Sequence, residues 1–316
     1  MALRVVALAG GVGGAKLADG LARTLPPENL SVVVNTGDDF SHLDLRISPD
    51  LDTVVYTLAG LADRQRGWGR ADESWDALET LDQLGGPVWF QLGDKDLGLH
   101  LFRTQALASG ESLSQVTDRV LEAMDVPARI FPMTDDPVST MVETDEGALS
   151  FQDYFVRRHF EPEVRGFTFV GAEVSQPAPG VLKAIADADV VIFCPSNPWV
   201  SIDPILSVPG LRSALSPKTV IAVSPIIGGL ALKGPAAKMC HELGLEPSAT
   251  TVAKHYGSLL TGFVLDVQDS NQKEDVAALG LDVQALQTVM KSTDDRVQLA
   301  EQVLAFAEGL ALGVRP

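Results

Sequence analysis

Residues 5–16 read Val5-Val6-Ala7-Leu8-Ala9-Gly10-Gly11-Val12-Gly13-Gly14-Ala15-Lys16, and their reading decides the fold class. Five apolar residues without alternation suit a strand covered on both faces, as in a parallel sheet. The glycines make a turn. Lys16 to Leu25 then carries Leu17, Leu21 and Leu25 on one helical stripe, stopped by Pro26-Pro27. Ser31 to Asn35 is a second β-branched run. Strand, glycine turn, helix and strand define a right-handed βαβ unit. The expected architecture is α/β: a Rossmann-like parallel sheet core that binds ligands at the carboxyl ends of its strands.

Outward from that unit the pattern turns helical. Val54, Val55, Leu58 and Leu61 lie on one stripe, Trp75, Leu78, Leu81 and Leu84 repeat every three residues, and Leu113 to Met124 gives another stripe. Residues 51–125 are therefore expected to be a mostly helical insertion covering the active site, interrupted by a short strand at Val88–Leu92. Residues 1–50 and 126–316 would form the nucleotide-binding core. Its later strands are expected at Ala128–Met133, Thr140–Thr144, Ala148–Gln152, Val190–Cys194 and Thr219–Val223, with a closing helix over Asp294–Leu310.

Composition narrows the function. The chain has 316 residues, 46% apolar and 21% charged, the balance of a globular enzyme. With 24 basic against 42 acidic residues it carries a net charge of −18, which repels nucleic acids and anionic membranes. The longest uncharged stretch, Thr219 to Leu232, is broken by Pro225, Gly228 and Gly229 and is too short to span a bilayer. Cys194 and Cys240 sit in or beside apolar runs with no CxxC pair, so reduced buried thiols are expected, without disulfide or zinc site. The expected compartment is the cytoplasm, and the expected partners are small molecules.

Four constellations could carry chemistry. Gly10, Gly11, Gly13, Gly14 and Lys16 fall between strand and helix, where backbone N–H groups can meet a phosphate. They fit neither the dinucleotide fingerprint nor the P-loop, and a tight turn without ligand is the alternative. Asp38-Asp39, Asp44, Asp50 and Asp52 gather carboxylates at the same sheet edge. Opposite a phosphate loop they suit Mg²⁺, which takes one or two carboxylates plus substrate phosphates and water. Helix capping by Asp50 and Asp52 is the alternative. The acid that would hold an NAD ribose is missing near Val34–Asn35, which speaks against nicotinamide chemistry. Trp68, between Gly67 and Gly69, could stack on a ring, and Gly93-Asp94-Lys95-Asp96 opens another helix. Ser196-Asn197 and the Ser224-Pro225 loop end later strands and would line the same crevice. The five histidines show no ligand spacing.

The ordered set GGVGGAK (10–16), VVVNTGDD (32–39), ISPDLDT (47–53), RGWG (66–69), LGDKDLGLH (92–100), MTDDPVST (133–140), FQDYFV (151–156), PSNPWVSI (195–202), SPIIGG (224–229) and GPAAK (234–238) resembles the 2-phospho-L-lactate transferase family, CofD, over almost the whole chain. The resemblance implies a Rossmann-like homodimer with a helical insertion. It also implies a reaction that joins the deazaflavin Fo to a guanosine-diphosphate-linked three-carbon acid, releasing GMP and forming the precursor of coenzyme F420, with Mg²⁺ required. It assigns Asp38 and Asp50 to the metal, and Asp38, Asp50 and Asp52 to the chemistry at the Fo ribityl end. Gly10 to Gly14, Lys16, Ser196, Asn197 and Ser224 fall to the nucleotide, with Trp68 and Lys95 as further substrate contacts. Two departures stand out. The family has Gly-Asp-Arg-Asp where this chain has Lys95, and Ser-Ile-Gly-Pro where it has Asp203. Lysine lacks the bidentate fork of arginine. If Asp203 faces the pocket it favours a donor with an extra hydroxyl; pointing outward, it only caps a turn. Lactyl, enolpyruvyl and glyceryl donors are all open. The rivals are a nucleotide-sugar-binding regulator and an NAD(P) dehydrogenase.

Overall fold

The computed structural model describes residues 3–63, 65–231 and 234–311. Seven parallel strands form the central sheet: β1 (Val5–Ala9), β2 (Leu30–Val34), β3 (Arg129–Pro132), β4 (Val190–Phe193), β5 (Thr219–Val223), β6 (Gly262–Asp266) and β7 (Asp282–Leu286). Their spatial order is 3-2-1-4-5-6-7, the doubly wound Rossmann order with one added strand. The order reverses between β1 and β4. A crevice opens there at the strands' carboxyl ends.

The β1 run is buried along its whole length, as continuous apolarity requires, and its alternate side chains serve two cores. Val6 and Leu8 face one, with Val33, Ile185, Ile205 and Tyr256. Val5, Ala7 and Ala9 face the other, beneath three helices: α1 (Gly11–Thr24), α2 (Pro49–Leu58) and the carboxyl-terminal Thr293–Ala311. A Cβ at Gly20 of α1 would stand 2.1 Å from the Arg296 carbonyl, so glycine is what lets α1 cross that last helix closely. Pro49 starts α2 at a position that needs no N–H donor, and Asp50 and Asp52 complement its dipole.

Residues 76–83, α3 (Asp94–Ala108) and α4 (Leu113–Ala123) are helical, in line with the periodicity. The anticipated strand at Val88–Leu92 is not one. Trp89 and Phe90 instead pack edge-on with Phe40 and His42, so aromatic packing outside any sheet explains the apolar run. The strands Ser139–Thr144 and Gly147–Ser150 form a hairpin joined by Val164–Val170 in a separate antiparallel sheet. That third strand escaped the sequence reading, as did β6 and β7. Among the described residues no helix is long and apolar enough to cross a membrane; Leu232, which ends the uncharged stretch named above, lies outside them. Both cysteines are buried and free.

Candidate active site

Gly10 closes β1 and Ser196 follows β4, on either side of the switch point. The Ser196 hydroxyl accepts from the Gly10 N–H at 3.1 Å and donates to the Gly10 carbonyl at 2.8 Å, clamping the two strand ends together. Helix α1 begins at once, so the glycine run is its first turn. A Cβ at Gly13 would stand 2.2 Å from the Pro195 carbonyl, and one at Gly14 2.5 Å from Ser196 Oγ. These glycines are required by the close approach of α1 to the β4 loop.

Above this point lies a cavity of about 750 Å³. Gly10, Gly11, Gly13, Lys16, Asp38, Asp50, Asp52, Trp68, Ser196, Asn197 and Ser224 all line it. Segments far apart in sequence thus meet in one chamber. Gly14 is buried and not part of its wall, and neither is Lys95: the Lys95 ammonium holds the Asp72 carbonyl at the exposed start of α3. Asp203 also lies outside the wall, paired to His255 Nε2 at 2.8 Å. Neither departure from the family pattern reaches the chamber.

Asp38, Asp50 and Asp52 are all buried. Asp50 accepts from the Gly11 N–H at 2.8 Å and from Asn35 Nδ2 at 2.9 Å, so the first N–H of α1 is already matched by a protein carboxylate. Burial, followed by the neighbouring Asp50 charge, pushes the Asp38 carboxyl well above its ordinary range. Burial likewise raises Asp50 to about 6 and Asp39 to about 8, although the Ser48 hydroxyl donates to Asp39 at 2.6 Å. Asp38 Oδ1 and Asp39 Oδ1 are buried without a hydrogen bond. Asp52 differs: it forms a buried ion pair with Arg103 of α3, Nη1 lying 3.0 Å from Oδ2.

Tyr56 and His100 are wall residues that the sequence reading did not single out. Tyr56 donates to Asp96 at 2.6 Å, and His100 and Arg103 continue that face of α3. A signal existed, since Asp96, His100 and Arg103 follow at i, i+4 and i+7 and share one helical side. The polar side chains of the β4 and β5 loops are occupied within their own loops. Asn197 Oδ1 accepts from the Trp199 N–H at 3.0 Å, and Ser224 Oγ donates to the Ile226 carbonyl at 2.9 Å. They shape the loops that line the crevice. Trp68 is 44% exposed at the rim, with the Arg66 guanidinium 5.2 Å from its ring centre.

Buried carboxylates, two of them with an oxygen that makes no hydrogen bond, thus face a glycine turn at a Rossmann switch point, where α/β folds of this order bind their ligands. The profile of the family 2-phospho-L-lactate transferase CofD matches residues 5–301. A phosphoenolpyruvate transferase of Kitasatospora aureofaciens is 44% identical over 98% of this chain and 100% of its own. A 2-phospho-L-lactate transferase of Methanosarcina acetivorans is 41% identical over 96% of this chain and 98% of its own. In fold the chain is similar to a crystal structure of a UPF0052 family protein from Bacillus halodurans, with a TM-score of 0.65 at 16% identity, covering 96% of this chain and 99% of that one. The chain belongs to the 2-phospho-L-lactate transferase family and is a transferase.

Proposed function

We propose that this transferase joins the deazaflavin Fo to the phospho-acid part of a guanosine-diphosphate-linked donor, releasing GMP and forming the F420-0 precursor in coenzyme F420 biosynthesis. The observation that carries this reading is the meeting, in one chamber, of the glycine turn and the β4 and β5 loops with the Asp38–Asp50 pair.

The residues fit a small divalent cation. Asp38 Oδ1 is buried without a partner, and two buried carboxylates repel each other unless a positive charge joins them. Among the described residues no group of three or more His, Cys, Asp or Glu is arranged to hold a metal. Mg²⁺ suits such a sparse set, because it keeps water and substrate oxygens as ligands. Asp38 and Asp50 would hold it, and when bound it supplies charge neutralisation at the phosphates.

In the transfer, the acceptor hydroxyl oxygen bonds to the phosphorus that bears the acid. The bond from that phosphorus to the bridging oxygen breaks, and GMP leaves with the oxygen. The hydroxyl proton passes to a carboxylate of the cluster, whose burial keeps it basic enough to accept one. The chain's main work is to position two substrates and to exclude water.

Of the three acids, enolpyruvate is favoured. Relatives named phosphoenolpyruvate transferase are 43–44% identical, those named 2-phospho-L-lactate transferase 40–41%. Asp203, the one argument for a glyceryl donor, is held by His255 away from the chamber. Competing the three guanosine-diphosphate-linked acids with Fo, and following GMP and the coupled product by chromatography, tests both points. GMP release with enolpyruvyl coupling foremost is expected. No GMP from any donor would overturn the proposed reaction.

A further inference from the structure

His100 is 1% exposed, yet it borders the cavity beside Asp52, Tyr56 and Asp96. Its Nδ1 stands 3.3 Å from Arg103 Nη1. A guanidinium offers only donors, so Nδ1 is the acceptor and the ring proton sits on Nε2. That Nε2–H is buried and makes no hydrogen bond. Asp96 Oδ1 lies 3.4 Å from it and already accepts from the Tyr56 hydroxyl at 2.6 Å. A buried donor without an acceptor is costly and rare, and its place on a cavity wall points to a ligand oxygen.

The neighbours select the kind of oxygen. Asp52 and Asp96 present acceptor-only carboxylates on the same wall. A phosphate or carboxylate placed there meets like charge, and an apolar group leaves Nε2 unpaired. Of these three kinds of group only a hydroxyl satisfies both sides, accepting from Nε2–H while donating its own proton to a carboxylate. Asp52 is engaged by Arg103 and Asp96 Oδ1 by Tyr56, which leaves Asp96 Oδ2 as the receiving atom.

We propose that His100 binds the acceptor substrate: its Nε2–H donates to one hydroxyl of a polyhydroxylated chain, and that hydroxyl donates to Asp96. The assignment rests on Fo, which carries a ribityl chain, being the acceptor. Arg103 then has a positioning duty, since its guanidinium sets the tautomer of His100.

The test titrates Fo, by its fluorescence and without donor, into wild type, His100→Leu and His100→Gln. The same deazaflavin ring bearing a methyl group in place of the ribityl chain is the control ligand, and GDP affinity by calorimetry monitors the fold. His100→Leu is expected to weaken Fo at least tenfold while leaving the methyl analogue and GDP unchanged. His100→Gln keeps an N–H donor and an acceptor for Arg103, and should restore most of the loss. Equal Fo affinity in wild type and His100→Leu overturns the proposal, as does an equal loss for Fo and the methyl analogue. Wild type that binds GDP but not Fo overturns the acceptor reading and this assignment with it. Deoxy acceptors repeat the test on the unaltered enzyme, should His100→Leu not fold. One of them should bind at least tenfold more weakly than Fo; if every deoxy acceptor binds as Fo does, the proposal is wrong.

Discussion

The backbone N–H of Gly11 donates to Asp50 Oδ1 at 2.8 Å, binding the first residue of α1 to the first turn of α2. The glycine turn and the carboxylate cluster are therefore one rigid unit. Asn35, closing β2, holds the other Asp50 oxygen at 2.9 Å and orients it. The Asp50 carboxyl therefore serves as the acceptor for the first N–H of α1.

Asp38→Asn and Asp50→Asn each preserve size and remove the charge. Transfer to Fo is expected to fall by about 100-fold or more in either variant. Circular dichroism and thermal midpoint should stay near wild type, and EDTA should abolish transfer by the unaltered enzyme. Full turnover in EDTA would remove the cation from the proposal.

The raised carboxyls of Asp39, at about 8, and Asp50, at about 6, set a pH dependence of stability. A carboxyl raised on folding stabilises the native state while protonated, and this contribution is lost as pH rises through the folded value. Cation-free protein should therefore melt at lower temperature at pH 8 than at pH 6. Asp39→Asn should flatten that slope, and so should added Mg²⁺, which compensates the ionised cluster. An identical slope in wild type and Asp39→Asn would contradict the assignment.

Asp52 and Arg103 are buried partners from α2 and α3. Removing one leaves a buried charge alone, a loss of about 3–5 kcal/mol. Asp52→Asn and Arg103→Met should each lower stability by about that amount in urea denaturation. The double variant should cost less than the sum of the two, because the lone charge disappears. Additive losses would mean that the pair contributes little.

Two glycines should respond oppositely to alanine. At Gly13 the new Cβ meets the Pro195 carbonyl at 2.2 Å, so Gly13→Ala should displace α1 from the β4 loop and abolish nucleotide binding. At Gly98, exposed within α3, nothing lies within 4 Å of the added methyl. Gly98→Ala should raise stability by about 0.5–1 kcal/mol, the intrinsic helical preference of alanine. Calorimetry of both variants checks the contrast.

What the sequence by itself determined was set by local and periodic physics. Continuous apolarity at Val5–Ala9 made a doubly covered strand, leucine spacing made α1, and glycines after a strand marked where backbones approach closely. The parallel sheet followed, and with it the crevice in which Asp38, Asp50 and Ser196 meet. What only the tertiary structure decided were contacts between distant segments. Asp52 looked equivalent to Asp50, yet it is neutralised by Arg103, 51 residues away. Lys95 looked like a pocket residue and Asp203 was open between pocket and surface, but the Asp72 carbonyl and His255 hold them outside the chamber. His100 carried no ligand spacing, and its free donor emerges only because Arg103 occupies the other ring nitrogen. Charge and hydrogen-bond pairing depend on which side chains share a buried space, and spacing along one chain does not encode that.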